Sequence, residues 1–241
     1  MCCNASYAEN IIHLVSAEYP PYFGAGLPHG GAVTNIVVQA FRHSDYQVKV
    51  QFLPWARALS EVRAGNVDGI IALPNSNSRE DESSLAFSTP INTLQIGFYK
   101  QRDRGIEFKE LTELKSFKIG SVRGISNPLE ITAANLNTLE SLDDITNLRK
   151  LAIGRLDLVL TDKMVGKFLL ENRLSDMRIA LNWQGNVVAN RDQHLALSRK
   201  RAGFEKKLQA FNDGLKQMAL DGSLKELINQ AGLEMPQNHI N

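Results

Sequence analysis

Chemistry in a chain of 241 residues needs side chains that attack, shuttle protons or bind metals, and few stand here in the usual arrangements. Its five histidines, His13, His29, His43, His194 and His239, are scattered without ligand-like spacing, and its two cysteines, Cys2 and Cys3, are adjacent at the extreme N-terminus. A metal centre needs several N, O or S ligands at defined offsets, so no metal and no cofactor is expected. Phosphate-cradling G-x-x-x-x-G-K-[ST], H-E-x-x-H, G-x-S-x-G and a G-x-G-x-x-G after a strand are all absent. What remains is recognition chemistry, gathered in three short segments. Glu18-Tyr19-Pro20-Pro21-Tyr22-Phe23 is a stiff turn presenting aromatic rings, either to a ligand or to the packing beneath the loop. Leu73-Pro74-Asn75-Ser76-Asn77-Ser78-Arg79-Glu80 is polar and carries both charges. Gly124-Ile125-Ser126-Asn127, followed by Pro128, puts small polar residues before a helix start, where backbone N–H groups suit an anion.

Each segment follows a predicted strand, the place where open α/β sheets hold their ligands. Ile11 to Ala17 is a short apolar run halted by the paired prolines, a buried strand. Val33, Ile36, Val37, Ala40 and Phe41 repeat at helical spacing. Val48, Val50 and Phe52 alternate as a strand, Trp55 to Ala64 reads as a helix stopped by Gly65, and Val67 to Leu73 is a further buried strand. Strand, helix, strand, helix, strand predicts a parallel sheet with crossover helices.

The same grammar returns in the second half. Ala64-Gly65-Asn66-Val67-Asp68-Gly69-Ile70 superposes on Ile153-Gly154-Arg155-Leu156-Asp157-Leu158-Val159: helix end, glycine, polar residue, aliphatic residue, aspartate, strand. Phe117 to Val122 and Leu156 to Leu160 are strands, with Leu148 to Ile153 closing a helix. Ile91 to Lys100 and Gln193 to Ser198 are strands leading out of and back into the first lobe; Phe204 to Met218 is a long amphipathic helix, and Asp221-Gly222-Ser223 ends it and caps the next. Two α/β lobes follow, residues 9–93 with 190–241 and residues 94–189, with a ligand expected between them.

Composition narrows the partner. The chain is 43% hydrophobic and 22% charged with a net charge of +1, and no apolar run approaches the roughly 18 residues of a spanning helix. A nucleic-acid binder would carry a basic excess, so small ligands or proteins remain as partners; a small-molecule ligand is expected, and separately a monomer. Residues 1–8, MCCNASYA, end in Ser6-Tyr7-Ala8, the small-residue pattern of an export cleavage site, and read as the remnant of a signal peptide on a periplasmic protein.

Several runs occur in order and at family-like spacing: Tyr19-Pro20-Pro21-Tyr22, Gly65 to Ile71, Arg79 with Phe87-Ser88-Thr89-Pro90, Ile119 to Gly124, Gly154 to Asp157, and Asp221 to Leu224. Together, from Ile11 to Gly232, they resemble the extracellular solute-binding proteins of family 3, the amino-acid-type periplasmic binding proteins of ABC transporters. The resemblance implies an α/β, type II periplasmic-binding-protein fold, two lobes on a two-strand hinge closing on a ligand, with an inner-membrane ABC permease as partner. It also implies that Arg79 takes a ligand carboxylate and Asp162 an ammonium, that Ser126 and Asn127 add contacts, and that Tyr19, Tyr22 and Trp55 wall the side-chain pocket. A guanidinium fork that never loses its charge suits the first task.

One departure bears on the ligand. Ala72, Leu73 and Pro74 stand where many amino-acid binders carry hydroxyl side chains, which widens the ligand class beyond the standard amino acids. The resemblance predicts a binding protein and not an enzyme. Two alternatives share the fold: a periplasmic ligand sensor, and a cyclohexadienyl dehydratase, which would need an acid of raised pKa, with Glu18 the one acid near the aromatic loop.

Overall fold

A computed structural model describes residues 10–74, 79–123 and 125–236, with the backbone course alone for 72–74, 79, 80 and 82. The MCCNASYA segment, His239 and Gly124 of the third loop lie outside the described residues. These residues divide into two compact units, one running to Thr93 and resuming at Asp192, the other Leu94–Arg191. Among them, no helix is long and apolar enough to cross a membrane.

The first unit begins β1 (Ile11–Ser16), α1 (Ala32–Arg42), β2 (Gln47–Phe52), α2 (Trp55–Ala64), β3 (Gly69–Pro74) and the short α3 (Arg79–Ser84). β2 and β3 flank β1, both parallel to it. The predicted apolar stripe of α1, Val33, Ile36, Val37, Ala40 and Phe41, is the face the helix buries. β4 (Leu85–Gln101) carries the chain out of this unit. It starts earlier than alternation from Ile91 suggests and runs through Pro90; proline removes one ladder donor but leaves the extended course.

The second unit continues with β5 (Ile119–Val122), α4 (Leu129–Ala133), β6 (Thr138–Ser141), α5 (Asp144–Ala152), β7 (Leu158–Asp162) and α6 (Lys163–Asn172). β5 is parallel to both β6 and β7, and β7 pairs antiparallel with β4, Ile96 opposite Asp162. β8 (Leu181–Ser198) returns the chain to the first unit, where it pairs antiparallel with β3, followed by α7 (Phe204–Leu220) and α8 (Ser223–Ala231). Both closing helices pack on α1. Between them Asp221-Gly222 joins the two helices as the sequence suggests: Asp221 ends α7, Gly222 precedes the first residue of α8, and Asp221 Oδ1 accepts the Ser223 N–H at 2.9 Å, while the Ser223 hydroxyl bonds back to the Met218 carbonyl.

The internal repeat has a physical cause that the sequence shows only in outline. Gly65 and Gly154 adopt left-handed φ of 82° and 72° and end α2 and α5. Asp68 N–H donates to the His13 carbonyl while Asp68 Oδ2 accepts the His13 N–H, both at 2.8 Å. Asp157 does the same with Lys118, at 2.9 and 2.7 Å. Each aspartate thereby zips the start of its strand to the start of the neighbouring parallel strand. Each also binds an arginine, Arg201 at Asp68 and Arg104 at Asp157.

Asp68 is the more committed of the two, 2% exposed and bonded by Lys207 Nζ at 2.8 Å and Arg201 Nε at 3.2 Å from the returning chain. Burial alone would raise its pKa, but Lys207, the His13 amide and Arg201 outweigh burial and hold it below the usual 3.8. A lowered pKa adds stability that is full above 3.8 and lost as pH falls through the folded-state value. Asp68→Asn is expected to cost about 3 kcal/mol at pH 7 in urea unfolding, since one member of a buried charge cluster is removed. The gap to wild type should narrow on acidification below 3.8.

Candidate functional site

The parallel strands of each unit share a carboxyl edge, and every residue singled out in the sequence follows one of those strand ends. In the first unit Tyr19 and Tyr22 follow β1, Trp55 opens α2 after β2, and Arg79 opens α3 after β3. In the second unit Ser126 and Asn127 follow β5, and Asp162 ends β7.

Tyr22 is a core residue, 1% exposed. Tyr19 is half-buried and stacks on it, ring centroids 5.7 Å apart and planes within 16°, with Phe23 also 5.7 Å from Tyr19. A two-strand bridge between Tyr19 and Phe23 closes the turn. Tyr22 therefore packs beneath the loop, whereas Tyr19 keeps an accessible side. Trp55 is half-buried against a cluster of Val15, Ala58, Val62, Ile70, Leu85 and Ala196. Between Arg79 and β4 the intervening residues are wound into α3. That helix is anchored through Asp81, 3% exposed, whose Oδ1 is held by Arg63 of α2 at 2.6 Å. Glu18 is exposed, its Oε1 accepting the Ala25 N–H at 3.0 Å, a loop-closing role.

Asp162 is 1% exposed and caps α6: its Oδ1 accepts from Met164 N at 2.9 Å and Val165 N at 3.0 Å. Its Oδ2 accepts from Gln95 N of β4 at 3.0 Å. The negative charge at the positive end of a helix is thus fixed in place by three backbone donors. Nearby, the Tyr99 hydroxyl donates to the Lys163 carbonyl at 2.7 Å; burial, then the charges of Asp162 and Glu171, keep it protonated. Ser126 is exposed and its carbonyl accepts from Arg191 Nη1 at 2.9 Å, while Asn127 Nδ2 donates to Thr138 Oγ1 at 3.2 Å.

One residue of this edge escaped the sequence reading. Asp143 caps α5 through Thr146 N at 2.7 Å, leaving Asp144 beside it without that duty. Burial pushes the Asp144 carboxyl up to about 6; a hydrogen bond from the Thr161 hydroxyl pulls the other way, and the lesser repulsions of Asp162 and Asp143 add to the rise. Its sequence signal was the doubled aspartate at a helix start where capping needs only one.

Residues 11–233 match the bacterial extracellular solute-binding proteins, family 3. L-cystine-binding protein TcyJ of Escherichia coli (strain K12) is 25% identical over 220 residues, covering 88% of this chain and 79% of the relative. A histidine kinase sensor domain with similarity to periplasmic binding proteins superposes with a TM-score of 0.77 at 19% identity, over 95% of this chain and 99% of the other. A structure from work on glutathione import in Gram-positive bacteria via GshT and the cystine ABC importer TcyBC of Streptococcus mutans gives 0.74 at 15% identity, over 95% and 98%.

Proposed function

The chain belongs to family 3 of the bacterial extracellular solute-binding proteins and has their type II α/β fold, and from that premise we propose that it captures a small amino-acid-like or carboxylate ligand in the periplasm for an ABC permease of the inner membrane. The observation that carries this reading is the gathering of the candidate residues behind the carboxyl ends of parallel strands in each unit. The ligand carboxylate goes to Arg79 and its ammonium to Asp162, with Ser126 and Asn127 adding polar contacts. Tyr19 and Trp55 flank the side chain, and Tyr22 backs Tyr19. The names of the relatives, with cystine and glutathione among them, point to a zwitterion with more than one charged end.

Titration calorimetry against L-cystine, L-arginine, L-glutamate and glutathione tests the reading. At least one should bind, and Arg79→Ala should weaken it about 100-fold, the loss of one charge-assisted pair. Absence of binding across the panel, or unchanged affinity in the variant, rejects it.

A further inference from the structure

The loop that follows β5 is held by a cation from another strand. Arg191 of β8, half-buried, donates from Nη1 to the Ser126 carbonyl at 2.9 Å. That bond uses one donor of a fork that carries several, and no other acceptor meets it among the described residues. Nor does any carboxylate of the described residues lie in ion-pair reach of it. Asp192 follows it in β8, but successive residues of a strand point to opposite faces, and the Asp192 Oδ1 is taken by the Thr93 hydroxyl.

The acids at the strand ends of the second unit are engaged elsewhere. Glu140 is paired with Arg123, Asp143 caps α5 through Thr146 N, Asp144 accepts from the Thr161 hydroxyl, and Asp162 is held by three backbone donors. The Arg191 guanidinium therefore has a carbonyl to hold it in place and no negative charge set against it. It is also open to solvent, as is Ser126, whose hydroxyl has no partner among the described residues. A planar fork with spare donors, next to a free hydroxyl, matches a carboxylate: two oxygens take the fork, and the hydroxyl adds a further donor. A primary ammonium would meet only repulsion there.

We propose that Arg191, with the Ser126 hydroxyl, binds a second carboxylate of the ligand and so selects amino acids or short peptides that carry two carboxylates. The inference rests on the solute-binding reading, in which Arg79 takes the first carboxylate and Asp162 the ammonium. It adds the charge of the ligand's far end, which that reading leaves open. Selection works by difference: a ligand with a neutral or cationic far end leaves the guanidinium unmatched, whereas a dicarboxylate neutralises it.

Titration calorimetry on wild type, Arg191→Gln and Arg191→Lys tests this with paired probes, each ligand set against an analogue whose second carboxylate is neutral. The pairs are L-glutamate with L-glutamine, glutathione with its glycine ethyl ester, and L-cystine with its monomethyl ester. Wild type should prefer the dicarboxylate of at least one pair by about 30-fold, the loss expected for one charge-assisted contact at a partly exposed position. L-Arginine should bind more weakly than that dicarboxylate. Arg191→Gln should lose the preference by weakening the dicarboxylate alone, so that variant and analogue together cost no more than either one. Arg191→Lys keeps a cation without the fork and should fall between the two. Equal wild-type affinity for both members of every pair, or binding of L-arginine alone, overturns the proposal whatever the variants do. A variant that weakens both members of a pair alike shows Arg191 to act only by holding the Ser126 loop, and also overturns it. The solute-binding reading stands in each of these cases. No binding of any probe by wild type overturns both.

Discussion

Gly214→Ala should lower the unfolding free energy by about 3 kcal/mol, although the same exchange in an open helix gains about 1 kcal/mol. The two effects oppose each other, and the contact between α1 and α7 decides the sign. A Cβ at Gly214 would stand 2.0 Å from the Ala40 carbonyl oxygen and 2.7 Å from its carbon. Those atoms are helix backbone and cannot swing aside as a side-chain tip does. Helix α1 would have to retreat, and with it the pairing of Phe41 and Phe211, whose ring centroids are 5.3 Å apart. Interiors packed at crystal density do not absorb such a shift without loss. Urea unfolding followed by circular dichroism measures it; a variant as stable as wild type would show that the helices do not pack through this glycine. Residues on the far side of α1 should be untouched in their own right, so the loss should appear in the midpoint rather than in the slope of the transition.

That contact was invisible in the sequence, where Gly214 is one glycine inside a strong apolar repeat of Phe211, Leu215 and Met218. The repeat itself was enough to give the helix and its buried face, because amphipathic periodicity is a local signal. Gly65 and Gly154 were legible for the same reason, since a left-handed cap is a property of a few adjacent residues. Elements that bury little left no such trace. β6 has only Ser141 buried, and α3 and α4 are five or six residues long, too short to show a period. The Asp68 and Asp157 zippers were visible as a repeat but not as hydrogen bonds, because His13 and Lys118, their partners, lie 55 and 39 residues away. At the candidate site the gap is of the same kind. The resemblance to a family pointed to Asp162 and Arg79, whereas the burial of Tyr22 and the raised pKa of Asp144 depend on what the folded chain brings around them.

Asp162→Ala is the second large effect, because one side chain serves two elements. Removing Oδ1 frees the Met164 and Val165 N–H groups at the start of α6, and loss of such a cap costs about 1–2 kcal/mol. Removing Oδ2 leaves Gln95 N of β4 without its acceptor, and an unmatched amide costs about 1–3 kcal/mol more. The two losses involve different partners, so a total of about 3 kcal/mol is expected by urea unfolding. Asp162→Asn separates them. Its single carbonyl oxygen can keep either the α6 cap or the Gln95 contact, but its NH2 then faces a donor at the other, so the variant should fall between wild type and alanine. Hydrogen exchange locates the damage: faster exchange at Met164 and Val165 reports a lost cap, at Gln95 a lost strand tie. If Asp162→Ala left both exchange and stability unchanged, the carboxylate would not be the fixed charge that ties the start of α6 to β4.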